Sequence, residues 1–223
     1  MARTPVPGRR DAILDAAHNV FARKGYVATG VADLAAELGI GHGTVYRYFD
    51  NKRDVATAVL DRALSRIAAV VTAENPQATG TLTEYRAQVE RIGHRLYELF
   101  AADPAMGRLV FVDLAAVDPS LDMRLRNAYD LFAEYTEAYL RNGVEKGFLR
   151  ADLDVWTAAR VINGMIFEGA AEVSRLADPT PLRDRWIDTV VMLLFEGFGG
   201  SDGAGGRVLG VRGGRRVRRG GRT

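Results

Sequence analysis

The chain has 223 residues, three histidines, no cysteine and a formal net charge of +2, with 48% of positions hydrophobic. That is enough apolar material for one sizeable domain, or for a small domain joined to a larger one. The lack of cysteine excludes a disulfide scaffold, a cysteine-ligated zinc site and a thiol nucleophile. Met1-Ala2-Arg3-Thr4-Pro5 lacks the apolar run of a signal peptide. The longest strongly apolar stretch, Trp186 to Phe198, contains Asp188 and Glu196 and is too short to span a bilayer. The expectation is a soluble, cytoplasmic protein.

The charge is unevenly spread. Residues 1–55 carry a net +2, residues 56–198 a net −6, and residues 199–223 a net +6 from seven arginines and Asp202. The basic balance therefore owes much to the tail and does not by itself identify a nucleic-acid binder. A case for DNA binding has to come from the first 55 residues.

In chain order the hydrophobic spacing is helical throughout, with no convincing run of strand alternation. A first helix covers 9–24, with Ile13, Leu14, Ala17, Val20 and Phe21 on one face and Gly25 as its stop. A short second helix covers 31–38. Gly39-Ile40-Gly41 makes a turn, and a third helix covers 42–49. Its Val45, Tyr48 and Phe49 point one way, and His42, Thr44, Tyr46 and Arg47 the other. Asn51 caps a fourth helix running to about residue 73. Thr81-Leu82-Thr83-Glu84 reads as a capping box opening a fifth, to about 102. Asp103-Pro104 and Asp118-Pro119 each set a cap residue before a proline and start the sixth and seventh. Gly147 ends the long, aromatic seventh. The eighth covers 153–177, and Thr180-Pro181 opens a ninth, to 198. The reading is all-α, nine helices in two domains, 1–55 and 56–198. After Phe198, ten of the 24 glycines and seven arginines fall in 25 residues. Such a segment lacks the apolar area to offset its ordering entropy, so 199–223 is expected to be a disordered tail.

Two short helices joined by a glycine turn, behind a longer scaffold helix, form a helix-turn-helix pattern. The residues around it carry more information: Ile13-Leu14-Asp15-Ala16-Ala17, Phe21-Ala22-Arg23-Lys24-Gly25-Tyr26, Thr29, Val31-Ala32-Asp33-Leu34-Ala35, Gly39-Ile40, Gly43-Thr44-Val45-Tyr46-Arg47-Tyr48-Phe49 and Lys52. This stretch resembles the TetR family of transcriptional regulators, almost continuously from residue 13 to about 60. The resemblance implies an N-terminal DNA-binding domain and a variable helical domain for ligand binding and dimerisation. It implies phosphate contacts for Thr29, Tyr46 and Lys52. It implies base-edge reading for His42, Gly43, Thr44 and Arg47, with Tyr48 beside them, while Phe49 reads as core. Gly41 and Gly30 stand where the family commonly has serine, or serine or threonine.

The last two helices are apolar around most of their circumference, which requires burial on two sides. A partner subunit is the economical second side, and the resemblance implies a two-fold four-helix interface. Met165, Val173, Ile187, Val190, Val191, Leu194 and Phe198 are the candidates. The interior between the fourth and eighth helices is where the family binds small molecules. Its candidate lining is Tyr97, Phe100, Met106, Phe111, Tyr129, Phe132, Trp156 and Phe167, with His94 and Asn163 as polar anchors, and an apolar or aromatic ligand is implied.

The expected function is therefore a homodimeric, sequence-specific repressor on a palindromic DNA operator, released by a small-molecule effector. Neither catalysis nor a cofactor or metal is expected. His18, His42 and His94 make no metal-ligand spacing, and there is no nucleophile motif or phosphate-cradling loop. The alternatives are a nonspecific DNA binder driven by the arginine tail and, remotely, a helical enzyme.

Overall fold

The computed structural model describes residues 6–110, 118–176, 178 and 180–197. Among the described residues there are nine helices and no strand: α1 (Arg9–Lys24), α2 (Val31–Glu37), α3 (His42–Val45), α4 (Lys52–Thr72), α5 (Leu82–Ala102), α6 (Pro104–Arg108), α7 (Pro119–Glu145), α8 (Val155–Val173) and α9 (Thr180–Phe195). The tail from 199, together with Phe111 and Phe198, lies outside the described residues. None of the helices in the described part is long and apolar enough to cross a membrane.

The ends of these helices follow from local hydrogen bonding. At Gly25, φ is 78°, and its N–H reaches Phe21 O at 2.8 Å to close α1. Asn51 Oδ1 accepts from the Asp54 amide at 3.0 Å and opens α4. At α5, Thr81 Oγ1 accepts from the Glu84 amide while the Glu84 carboxylate accepts from the Thr81 amide, both at 3.2 Å, which is the reciprocal box. Asp103 caps α6, and Asp118 caps α7.

Three helices, α3, α8 and α9, differ in their bounds from the sequence reading. α3 is a single turn, because beyond Val45 three-residue bonds (Arg47 N to Thr44 O, Tyr48 N to Val45 O) mix with four-residue ones and Asn51 soon opens the next helix. α8 starts later because Asp154 Oδ1 takes the Thr157 amide at 3.2 Å and caps it, and it ends at Val173 and not at 177. α9 ends at Phe195 and not at 198.

One buried apolar cluster runs through the molecule. It starts with Phe21, Leu34, Val45 and Phe49 around α1–α3, continues through Val55, Leu60 and Ile67 of α4, and reaches Phe100, Phe132, Val173 and Val191 on α5, α7, α8 and α9. The boundary drawn at residue 55 thus falls inside α4, a rod of 21 residues shared by both halves. A side chain moved in one half has packed neighbours leading to the other.

Candidate nucleic-acid interface and effector cavity

α3 carries the exposed reading surface. His42, Gly43 and Arg47 are exposed, Tyr46 is 54% exposed, and Val45 behind them is fully buried. The buried valine fixes which way the turn faces. Arg47 Nη2 lies 3.4 Å from Thr44 Oγ1, so the two polar groups share one patch. Tyr48 is only partly exposed, and its hydroxyl meets the Val6 backbone, accepting from Val6 N at 2.8 Å. Phe49 is core, with the Arg10 guanidinium 5.2 Å from its ring centre.

Two of the residues expected at phosphates are also bonded within the head. Thr29 is 2% exposed and its hydroxyl donates to Gly25 O at 2.7 Å. It ties the α1–α2 loop to the helix end and does not offer its hydroxyl to solvent. Lys52 Nζ donates to Tyr26 O at 2.9 Å and Val27 O at 3.3 Å, and sits 4.4 Å from the Tyr26 ring centre. Its charge remains near the head, but its ammonium first clamps that same loop onto α4. Other cations of the head are also engaged: Arg23 forks onto Glu37 at 2.7 and 3.1 Å, and Lys24 meets Asp33 at 2.7 Å. Those bonds hold the Glu37 and Asp33 carboxyls below the usual carboxylate range.

α4 joins the head to the larger half by a series of ion pairs. Arg53 Nε donates to the buried cap Asp118 at 2.7 Å, Arg124 of α7 to Asp61 at 2.8 Å, Arg62 to Asp15 of α1 at 2.7 Å and Arg66 to Asp103 at 2.7 Å. Pairs this exposed add little stability one by one. Together they set the position of α4 against α1, α6 and α7.

A cavity of about 800 Å³ lies between α4, α5, α7, α8 and α9. Its wall is almost wholly apolar, with Ile67, Val71, Leu96, Phe100, Phe132, Ile162, Phe167 and Phe195 among the lining. The polar side chains at the wall are mostly paired. The Tyr139 hydroxyl donates to backbone carbonyls of the α4 end, and the Tyr85 hydroxyl to Tyr139 O at 3.0 Å. Burial pushes both phenols up to about 12, so each stays a protonated donor at neutral pH. Thr136 Oγ1 bonds Asn163 Oδ1 at 2.8 Å, while Asn163 Nδ2 and Trp186 Nε1 are buried without a hydrogen-bond partner among the described residues.

Of the expected pocket residues, Tyr97, Phe100, Phe132, Asn163 and Phe167 line this cavity. His94 does not; it lies partly buried on α5, within electrostatic reach of Asp184. Met106 is fully buried on α6 beside His18, away from the cavity wall. Tyr129 stands behind the wall, edge-on to Phe167 with centroids 4.4 Å apart. Trp156 is corrected outright: it is 58% exposed at the start of α8, with the Arg160 guanidinium 3.8 Å over its ring. Position on the helix decided this, since residues 156 and 160 share the α8 stripe facing solvent. The sequence reading missed Thr136, Tyr139 and Ile162 as wall residues. For Thr136 and Tyr139, four and seven residues beyond Phe132 on α7, helical register was the available signal.

The expected dimer residues also have neighbours within the chain. Val173, Ile187 and Val191 are buried within the chain, and Met165, Val190 and Leu194 share the cavity wall with them. α9 also packs on α5: the position of a Cβ at Gly93 is 3.5 Å from Ile187 Cγ2. The most exposed apolar side chains of α8 and α9 are Trp156 (58%), Val161 (57%) and Met192 (40%), and Val161 also borders the cavity.

An exposed recognition turn on a shared rod, with an apolar cavity at the far end, defines a ligand-responsive DNA-binding regulator of the helix-turn-helix class. Residues 13–59 match the model described as Bacterial regulatory proteins, tetR family, so the reading head is a DNA-binding domain of that type. It is similar to the Fatty acid metabolism regulator protein of Bacillus subtilis, 26% identical over 70% of this chain and 78% of that one. It is also similar to the HTH-type transcriptional repressor KstR2 of Rhodococcus jostii, 28% identical over 70% of this chain and 74% of the other. The fold is that of the transcriptional regulator FadR from Bacillus subtilis in complex with stearoyl-CoA, with TM-score 0.68, 22% identity, and 85% and 99% of the two chains covered.

Proposed function

We propose that this chain is a homodimeric repressor that leaves a pseudo-palindromic operator when a long apolar ligand fills the cavity. The observation that carries the reading is the roughly 800 Å³ apolar cavity walled in part by α4, the helix that also bears the reading head. Residues 1–55 are the DNA-binding domain, 56–198 the ligand-binding and dimerisation domain, and 199–223 an appended basic tail. His42, Gly43, Thr44 and Arg47 face base edges, Tyr46 a phosphate, and Lys52 adds charge while holding its loop. Val161 and Met192, with the partly exposed Met165, Val190 and Leu194, supply the subunit interface. Two-fold symmetry then sets the recognition helices roughly 34–36 Å apart or a multiple of it. A regulator of this kind works in the cytoplasm.

The ligand is argued from the wall. Apolar lining favours a hydrocarbon body, and the unpaired amide hydrogen of Asn163 favours a carbonyl or carboxylate acceptor nearby. A fatty acyl group has both, and the names of the Bacillus subtilis relative and of the stearoyl-CoA complex support that class. The repressor sense is supported by the name of the Rhodococcus jostii relative.

The test is selection of duplexes from a random pool by the full chain, followed by mobility shift with and without stearoyl-CoA. The reading expects a palindromic consensus and release by the acyl-CoA. Binding with no sequence preference that vanishes when 199–223 is deleted would replace it with a tail-driven, nonspecific binder.

A further inference from the structure

Asp103 joins three helices at one carboxylate. It sits between α5 and α6, and its Oδ1 accepts from the Met106 amide at 3.1 Å, capping α6. The same oxygen is 2.9 Å from His18 Nε2 on α1, while Oδ2 accepts from Arg66 Nη1 on α4 at 2.7 Å. The His18 and Asp103 side chains are 22% and 21% exposed. Burial pushes the carboxyl up, but bonds from His18, Arg66 and the Met106 amide outweigh it and hold Asp103 well below the usual range. The other charged groups lining the crevice are Asp15 and Arg62, which pair with each other at 2.7 Å.

The other side of α6 meets the cavity wall. A Cβ at Gly107 would lie 3.3 Å from Ala170 O and from Ser174 Cβ on α8, and 3.7 Å from Phe100 Cδ1. Phe100 and Ala170 both line the cavity. α6 has only five residues, and a helix that short has little cooperative stability of its own. A ligand that pushes Phe100 or Ala170 toward Gly107 has little free space before it displaces α6. Asp103 then either draws His18 and Arg66 along or leaves a part-buried carboxylate short of partners, which is the costlier outcome.

We propose that Asp103 is the positioning residue that couples the cavity to the reading head, fastening α6 to α1 through His18 and to α4 through Arg66. This rests on the regulator reading above for its purpose, while the mechanical link can be tested without it.

The test uses the full chain as wild type, His18→Leu, His18→Gln and Asp103→Asn. Amide hydrogen exchange is followed by mass spectrometry, and affinity for the selected duplex is measured with and without stearoyl-CoA. His18→Leu is expected to speed exchange in α6, across the contact from the substitution, and Asp103→Asn to speed it in α1 as well as α6. His18→Gln keeps a donor at the same reach and restores the wild-type pattern. In the DNA assay a wild-type response on the order of 5- to 150-fold falls toward onefold in His18→Leu and returns in His18→Gln. Unchanged α6 exchange in His18→Leu, or an Asp103→Asn effect confined to α6 as for a simple cap, overturns the proposal. If the wild-type protein ignores stearoyl-CoA, the effector reading fails, and the exchange cross-talk still decides the role of Asp103.

Discussion

Arg47 and Tyr46 look alike as exposed polar groups on one turn, yet the account assigns them different work. A guanidinium against a base edge confers sequence preference, whereas a phenol on a phosphate confers only affinity. Arg47→Ala is therefore expected to cost about 1–3 kcal/mol on the selected duplex and to relax preference at one base pair. Tyr46→Phe should weaken all duplexes alike. Competition binding with single-base variants checks both, and an Arg47→Ala protein that keeps its full preference contradicts the assignment. Thr29 and Lys52 show why residue roles were only partly legible: a motif gives the side chain, but the loop carbonyls that occupy it come from chain geometry. Asp103 read from sequence only as a cap, because nothing there brings His18, 85 positions away, to its side. Its pH dependence has a definite sign. The folded pKa is depressed, so the stabilisation is complete above the ordinary carboxylate value and is lost as pH falls below it. Wild type should therefore exceed Asp103→Asn in stability at neutral pH, and the gap should close as pH drops below about 4. Urea unfolding across that range is the measurement; a gap independent of pH contradicts it.

Among the helices, caps were the most legible feature. Asn51, the Thr81–Glu84 box, Asp103 and Asp118 all act within four residues of chain, so the sequence contains the whole cause. The facing of α8 and α9 was not legible in that way. Their all-round apolar character reads as burial on two sides, and the side filled within the chain depends on α5 and on the glycines that admit it. Gly169 is the sharpest case: the position of its missing Cβ is 2.5 Å from Trp186 Nε1. Gly169→Ala must push the indole or α9 outward, at an expected cost of roughly 1–3 kcal/mol. Thermal unfolding would register it as a midpoint lower by several degrees, and an unchanged midpoint would mean that α9 is not seated on α8 as described. Gly164 on the same helix has open space around its Cβ position, so Gly164→Ala is the control expected to cost nothing.

For the whole molecule, the continuous core and the shared α4 mean that the reading head and the cavity are not independent bodies. The fold class and the helix-turn-helix were legible because helical spacing and a dense local motif express them directly. The cavity was legible only as a region, since its wall draws single residues from five helices. The outward apolar pair Val161 and Met192 gives the assembly its own test: Val161→Glu with Met192→Glu should shift sedimentation from dimer to monomer and abolish operator binding together. Most direct of all is a titration of the full chain onto the selected duplex, followed by anisotropy and sedimentation, with stearoyl-CoA then added. The account predicts two protomers on a two-fold symmetric site and loss of the complex as acyl-CoA is taken up. One protomer per duplex, or a complex indifferent to acyl-CoA that the protein demonstrably binds, would contradict it.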